Sequence, residues 1–219
     1  MEGLSSMAYF AGIFASFCFT VQYIPQAWHN YKRQSVRGFS AIGIIIKLIG
    51  AAFLFSNTFI QGETVAVVMY GLFNVTQHLV FMVQFSSYGS GDIPGDKRFL
   101  WWLLFPLVPL LCGIYYPDSI HFTNYFKPIA QVLSHLPQLY ECYRIKTTSG
   151  VSLTTQHLNV VGGLAGLFMC YIIPPKASTT YLIYSNSILQ ALSIYMLAAF
   201  FGELTIAGKS KHGESSLPT

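Results

Sequence analysis

Charged side chains are scarce in this sequence. They make up only 9% of its 219 residues, whereas soluble globular domains carry about 25%. A soluble chain of this length could not cover its surface with so few charges, so the composition excludes a soluble enzyme, a disordered chain and a nucleic-acid binder. Hydrophobic residues account for 53% of the chain and aromatic residues for 16%. This composition is typical of a protein that crosses a membrane several times.

The sequence also lacks the short motifs that accompany catalysis and cofactor binding. It contains no P-loop, dinucleotide-binding fingerprint or nucleophile elbow. No cluster of His, Cys, Asp and Glu has the spacing of metal ligands. The cysteines form no CxxC pair. They are Cys18, Cys112, Cys142 and Cys170. We therefore expect no enzymatic activity, no metal and no other cofactor.

Seven apolar runs are long enough to cross a bilayer core, which needs about 20 helical residues. The fifth run is the most polar of them. The first is not a cleavable signal peptide, because no basic segment precedes it and Glu2 does. The predicted spans are 7–27, 40–60, 64–86, 99–116, 122–142, 153–174 and 178–202.

Basic residues are distributed unevenly between alternate loops. One set of loops holds only Lys127 and Lys176, and Lys47 lies inside a span. The other set holds nine: Lys32, Arg33, Arg37, Lys97, Arg98, Arg144, Lys146, Lys209 and Lys211. Because basic loops are retained on the cytosolic side of a membrane, this bias predicts a lumenal N-terminus and a cytosolic C-terminus.

The two halves of the chain repeat each other at an offset of 112 residues. The segment YIPQAWHNYKRQSVRGFS at 23–40 aligns with HLPQLYECYRIKTTSGVS at 135–152, and the same offset continues without a gap into later spans. The paired positions include Pro25 and Pro137, Gln26 and Gln138, Gly38 and Gly150, Ser40 and Ser152, and Asn74 and Asn186. An alignment of this length indicates a duplication of three spans.

The repeat predicts an all-α membrane protein with seven transmembrane helices. The first three-helix repeat covers residues 7–86 and the second covers 122–202, with span 4 at 99–116 as an unpaired linker helix. Because one linker helix separates them, the repeats have the same orientation and are related by an axis along the membrane normal. Residues 203–219 are predicted to form a cytosolic tail.

Two Pro-Gln motifs at the predicted cytosolic ends of spans 1 and 5, in a three-plus-one-plus-three chain, resemble the PQ-loop family. The Ser-Val-x-Gly-x-Ser pattern at 35–40 is most similar to cystinosin-like members, and SWEET sugar carriers share the architecture. The resemblance implies a carrier of an amino acid or related metabolite in a lysosomal, vacuolar or other endomembrane. Alternatives on the same fold are a sugar facilitator of the SWEET type and a membrane receptor, chaperone or lipid-handling protein.

The motif residues have two interpretations. Proline removes a helical hydrogen bond, so Pro25 and Pro137 are predicted to loosen the ends of spans 1 and 5. The amides of Gln26 and Gln138 can bond to the backbone groups that are freed. The motifs are then either fixed kinks or hinges for alternating access, and the resemblance favours hinges.

Spans 3 and 7 each carry a polar stripe. Asn74 and His78 share one helical face of span 3, and the repeat aligns them with Asn186 and Gln190 in span 7. An amide that faces lipid without a partner costs several kcal/mol, so these side chains are expected inside the bundle. They either hold helices together or bind substrate. Asn residues at the matching places line the sugar site of SWEET carriers, and we predict that all four bind substrate.

Lys47 in span 2 aligns with Asn159 in span 6, and both are predicted to contact substrate. Lys47 either extends to the membrane interface or has a function inside the bundle. In cystinosin-like proteins the position of Asn159 is an Asp linked to proton coupling, so that role does not carry over. No Asp or Glu lies in the core of a span. A carboxylate-bearing or neutral substrate is therefore expected rather than a cation.

His78 and His135 are the candidate proton-responsive residues, because histidine titrates near neutrality. A hydrogen-bonded structural role is the alternative for each. The expected partners of the protein are a small-molecule solute and the lipid bilayer, and proton coupling is left open by the missing Asp.

Overall fold

The computed structural model describes residues 2–63, 65–89, 93–174 and 179–204. Within those ranges the chain is mainly helical, and an isolated bridge joins Ser35 and Gly89. Most of the predicted tail and three of the counted lysines, Lys176, Lys209 and Lys211, lie outside the described residues. The all-α prediction is confirmed.

The described helices form seven segments in the predicted order. Five of these segments are long and apolar enough to cross a membrane: Gly3–Arg33, Ala41–Ile60, Val67–Ser87, Lys97–Tyr115 and Thr180–Phe200. The fifth and sixth segments are the more polar ones. The helices are α1 (Glu2–Val21), α2 (Ile24–Arg33), α3 (Ala41–Ile60), α4 (Val65–Ser87), a 3-10 helix (Lys97–Leu104), α5 (Leu107–Tyr115), α6 (Ser119–Thr123), α7 (Phe126–Leu133), α8 (His135–Ile145), α9 (Leu153–Ile172) and α10 (Thr179–Phe200).

The repeat is visible in the way the helices begin and end. Helices α3 and α9 have the same length and start 112 residues apart. The side chain of Ser40 caps α3, and that of Ser152 caps α9 in the same way, each accepting a bond from a backbone N–H in the first turn. Gln34 and Lys146, which end α2 and α8, both adopt the left-handed conformation. The turn between the first two spans of each repeat is therefore built identically.

Helices also pack across the two repeats, because α1 lies along α9 and α7 lies along α3. Glycines permit both approaches. A Cβ added to Gly50 would lie 2.6 Å from the Cβ of Ala130, and one added to Gly162 would lie 2.8 Å from the Cβ of Cys18. These contacts are equivalent under the repeat. Each first span thus packs on the second span of the other half, and the polar faces of both halves enclose one interior.

Candidate functional site

Spans 1 and 5 are broken at equivalent places in the interior. Helix α1 ends at Val21 and α7 ends at Leu133, each four residues before a motif proline. Proline has no N–H to bond the carbonyl four residues earlier, so Pro25 and Pro137 account for both breaks. Beyond them α2 and α8 continue the spans to Arg33 and Ile145. The spans therefore extend past residues 27 and 142, where the apolar runs end, and the prolines lie inside them.

The motif glutamines bond across the two repeats. Gln26 donates to the carbonyl oxygen of Gly150 at 2.9 Å and accepts a bond from the backbone N–H of Ser152 at 2.6 Å. Gln138 donates to the carbonyl oxygen of Gly38 at 2.9 Å and accepts from the N–H of Ser40 at 2.9 Å. We call Gln26 and Gln138 the crossed glutamines. The expectation that they would bond groups freed in their own helices is wrong.

The two turns held by the crossed glutamines touch each other. A Cβ on Gly150 would lie 2.6 Å from the Cα of Gly38 and 2.4 Å from the carbonyl oxygen of Arg37. Gly38 has a φ of 82°, which favours glycine. The two turns therefore contact each other through backbone atoms, with no side chain between them. They close the end of the bundle that carries the Pro-Gln motifs, which we call the motif side.

A polar cavity of about 40 Å³ lies directly beneath the crossed glutamines. It has room for a few water-sized groups at most, and the crossed glutamines and the touching turns border it on the motif side. Six residues singled out from the sequence line it: Gln26, Lys47, His135, Gln138, Asn159 and Gln190. Tyr23, Ser134, Thr155 and Gln156 add polar groups that the sequence analysis did not identify.

Asn74, Asn186 and His78 do not line this cavity. The buried Asn74 side chain donates to the carbonyl oxygen of Tyr70 and accepts a bond from the Lys127 ammonium at 3.3 Å. Asn186 donates to the carbonyl oxygen of Gln131 at 3.2 Å. Both asparagines therefore contact α7, one turn apart, and do not contact each other.

The two predicted histidines are placed differently from each other. His78 is fully buried, bonds the carbonyl oxygen of Asn74 through Nδ1, and packs edge-on against the Tyr23 ring with centroids 4.8 Å apart. His135 lines the central cavity. Among the described residues neither Nε2 atom has a hydrogen-bond partner. Each histidine therefore has one ring nitrogen available inside the bundle.

Lys47 and Lys127 both point into the interior. The Lys47 ammonium lies 5.2 Å from the centroid of the Tyr23 ring and lines the central cavity. Lys127, which the charge count assigns to a loop, belongs to α7 and bonds Asn74. The assignment of Lys127 to a loop is wrong, because the fifth span is helical from Ser119 onward apart from two short breaks. Its place inside the apolar run 122–142 was the available signal.

A second, smaller cavity of about 10 Å³ lies between these lysines. It is adjacent to the central cavity, since Tyr23 and Lys47 line both. Among the residues that the structure describes, no acidic side chain lines either cavity. The interior is therefore a polar, positively charged compartment below a closed motif side. The residues of the smaller cavity are Gln22, Tyr23, Lys47, Tyr70, Lys127, Ala130 and Gln131.

A family model for the PQ loop repeat matches the chain twice, at residues 7–67 and 120–175. Together the matches cover more than half of the sequence, and each contains one Pro-Gln motif with its following turn. The chain belongs to the PQ-loop repeat family. Comparison with curated proteins gives no match. The protein is thus a multi-pass membrane protein with two PQ-loop repeats, as the resemblance implied.

The first PQ-loop repeat secures its glutamine more strongly than the second does. Gln26 also donates to the side chain of Asn30 at 2.9 Å, Asn30 donates to Gln84 at 2.9 Å, and Gln84 donates to the carbonyl oxygen of Ala27 at 2.8 Å. In the second repeat Cys142 takes the place of Asn30 and lies 3.3 Å from the Gln138 amide. The Gln138 side of the contact has fewer strong partners and is the weaker one.

Further contacts hold the turn after the second motif of this PQ-loop protein. His29 and Arg33 from α2 both bond the carbonyl oxygen of Ser149, at 2.8 and 2.9 Å. Glu203, just after α10, accepts bonds from Thr147 and from the N–H and hydroxyl of Thr148. Burial alone would raise the pKa of the Glu203 carboxyl, but these hydrogen bonds outweigh it and hold that pKa below its usual value.

Proposed function

We propose that this PQ-loop protein is a carrier that moves a small solute across its membrane by alternating access. The observation that carries the proposal is the closure of the motif side: the crossed glutamines and the touching turns seal one end of a polar cavity between two repeats. A static membrane protein has no need of a polar interior that is closed by a few separable hydrogen bonds. A carrier needs such a closure on alternate sides.

The moving parts would be the two three-helix repeats, 7–86 and 122–202, joined by the linker helix at 99–116. The breaks after Val21 and Leu133 lie at the level of the cavity, so α2 and α8 can turn there without unwinding a continuous helix. Four hydrogen bonds of the crossed glutamines would separate on opening. At about 0.5–1.5 kcal/mol each, their loss costs about 2–6 kcal/mol, a range that substrate binding can offset.

The proposed substrate is an amino acid or related small metabolite, by resemblance to the cystinosin-like members. Lys47, Asn159 and Gln190 would contact it from the central cavity. Asn74, Asn186 and His78 would join when opening releases α7, to which both asparagines are bonded in the closed state. His78 and His135 are the groups through which protons would couple to transport.

The proposed membrane is that of a lysosome, a vacuole or another endomembrane, with the motif side and the C-terminus in the cytosol. The basic residues of the described motif-side loops, among them Arg37 and Arg144, support this orientation. The N-terminus would then lie in the lumen, and the carrier would export solute to the cytosol.

Uptake by purified protein in liposomes tests the proposal. The panel contains cystine, neutral, basic and acidic amino acids, and hexoses, each at two pH values. We expect saturable uptake of an amino acid, lost in a Gly150→Trp variant that wedges the turns and retained in the exposed-site variant Gly3→Ala. Uptake of hexoses alone would favour the sugar facilitator. Binding without any uptake would favour a receptor or lipid-handling protein.

A further inference from the structure

Two ammonium groups share the smaller cavity. Lys47 reaches it from α3 and Lys127 from α7, and none of the described residues that line it is acidic. The Lys127 ammonium donates to the Oδ1 atom of Asn74 at 3.3 Å, and the Lys47 ammonium faces the Tyr23 ring. Each ammonium carries three donors, so these contacts leave most of the donors of both lysines unused.

This arrangement is costly when the cavity holds no anion. A cation inside a membrane protein is stabilised only weakly by neutral partners, and two like charges in one low-dielectric cavity repel each other. Among the described residues the ion pairs are Arg98 with Asp96 and Arg144 with Glu141. Both pairs lie away from the cavity. Removing one partner of a buried pair leaves an uncompensated charge, and in the part of the chain that the structure describes neither lysine has an acidic partner.

The cavity between Lys47 and Lys127 has room for one water-sized group at most in this conformation. We propose that it widens when the bundle opens and binds carboxylate groups of the transported solute, and that this solute carries a net negative charge. The inference rests on the proposed carrier function and names its substrate class: a dicarboxylate or an acidic amino acid. Two ammonium groups match two carboxylates through charge-assisted hydrogen bonds. A neutral amino acid is a zwitterion, and the two lysine ammonium groups would repel its own ammonium group. Such a solute therefore fits the cavity less well than one with a net negative charge.

The closed conformation already contains a substitute for one carboxylate oxygen. Asn74 Oδ1 accepts the hydrogen bond from Lys127. A carboxylate oxygen can replace this neutral amide oxygen, because a hydrogen bond between two charged groups is the stronger one. The two cavities share Lys47 and Tyr23. A solute that enters from the lumenal side would therefore reach Lys127 first and then Lys47, on its way to the motif side. Its arrival would release Asn74 and allow α4 to separate from α7.

Thermal unfolding of the purified protein tests the site without requiring transport. The probes are succinate, L-glutamate, L-leucine, L-lysine and chloride at matched ionic strength. We expect succinate and L-glutamate to raise the Tm saturably, and the other three to leave it unchanged. Lys47→Met and Lys127→Met should raise the Tm without ligand, because each removes an unpaired charge, and should weaken carboxylate binding at least tenfold. Lys97→Met, an exposed lysine on the 3-10 helix, is the matched control and should retain the shift.

Other results would overturn the inference. An equal shift with chloride would assign the cavity to an inorganic anion, and a full carboxylate shift in both lysine variants would place the binding elsewhere. Transport of neutral or basic amino acids with no carboxylate shift would refute the anionic substrate and leave the carrier proposal standing. A carboxylate shift that depends on both lysines, without uptake of any solute in liposomes, would support the site and refute the carrier.

Discussion

Gln26 and Gly150 are joined by a 2.9 Å hydrogen bond although 124 residues separate them in the chain. The equivalent pair, Gln138 and Gly38, is joined at the same distance across 100 residues. The glutamine of each Pro-Gln motif thus donates a hydrogen bond to a backbone carbonyl oxygen of the opposite repeat. Each motif therefore has two structural roles. Its glutamine forms a contact between the repeats, and its proline breaks the helix of a span.

Gln138→Ala should open the motif side. The variant loses two of the four crossed bonds, about 1–3 kcal/mol, which shifts a two-state equilibrium roughly 5- to 150-fold. The measurement is the labelling rate of a cysteine placed at Ser134 in the central cavity, in a background without the four native cysteines. Gln34→Ala is the control, because Gln34 bonds only its own helix end. Equal labelling in both variants would contradict a closing role for Gln138.

Gly150→Ala should push the two turns apart. Its methyl group would meet the backbone of Arg37 and Gly38 at 2.4–2.6 Å, and backbone atoms cannot rotate away. Overpacking of this kind costs about 1–3 kcal/mol, or a Tm roughly 2–12 °C lower for a chain of this size. Gly3→Ala, where a Cβ meets nothing within 4 Å, should leave the Tm unchanged. A wild-type Tm for Gly150→Ala would mean that the turns do not touch.

Pro25→Ala and Pro137→Ala should slow transport more than they weaken substrate binding. Each alanine restores an N–H that can bond the carbonyl of Val21 or Leu133, which removes the break in the span. Uptake rate and substrate affinity are measured on the same preparations. Transport at the wild-type rate in both variants would show that the prolines are fixed kinks.

Asn74→Ala and Asn186→Ala should weaken substrate binding by roughly three- to thirty-fold, if each loses one hydrogen bond to the solute. In the closed state both residues bond α7, so a role in holding helices together predicts a different result. That role lowers the Tm and leaves affinity unchanged. Measurement of Tm and affinity on the same two variants decides between the roles. Thr76→Ala, on the outward face of α4, is the control.

Glu203→Gln should destabilise the protein near neutral pH and have no effect in acid. The hydrogen bonds from Thr147 and Thr148 keep the pKa of Glu203 below its usual value of 4.5. A carboxyl with a lowered pKa in the folded state stabilises above its unfolded pKa, and this contribution is lost as the pH falls through the folded value. The Tm difference between wild type and variant should therefore shrink below about pH 4.5. Glu63→Gln, an exposed side chain, should show no such difference.

The order of the spans and the internal repeat were predictable because both depend on local sequence. Apolar runs of about 20 residues mark the helices, and the 112-residue offset aligned Ser40 with Ser152 before the structure placed both at helix starts. The breaks in spans 1 and 5 follow from proline chemistry. Their position well inside the helical spans did not follow, because the polar residues of α2 and α8 end the apolar runs before the helices end.

The interior of the bundle was only partly predictable. Lys47, Asn159, Gln190 and His135 were selected as polar residues within spans, and they do line the central cavity. Lys127 was assigned to a loop by the charge count, although its place inside the apolar run 122–142 indicated a span. Gln131 is also a polar residue within a predicted span and shares a helical face with His135, but it was not selected as a site residue. Tyr23 gave no sequence signal that separates it from an interfacial residue.

The sequence by itself determined the membrane environment, the seven helices and their duplication, since hydrophobicity, proline and repeat spacing act over a few residues. Only the tertiary structure decided what the motif glutamines bond and which lysines share a cavity. Those contacts arise because Gly50 and Gly162 let each first span pack on the other half, which brings side chains about a hundred residues apart within hydrogen-bonding distance. The free energy of such contacts depends on packing between helices, and no local pattern in the chain encodes it.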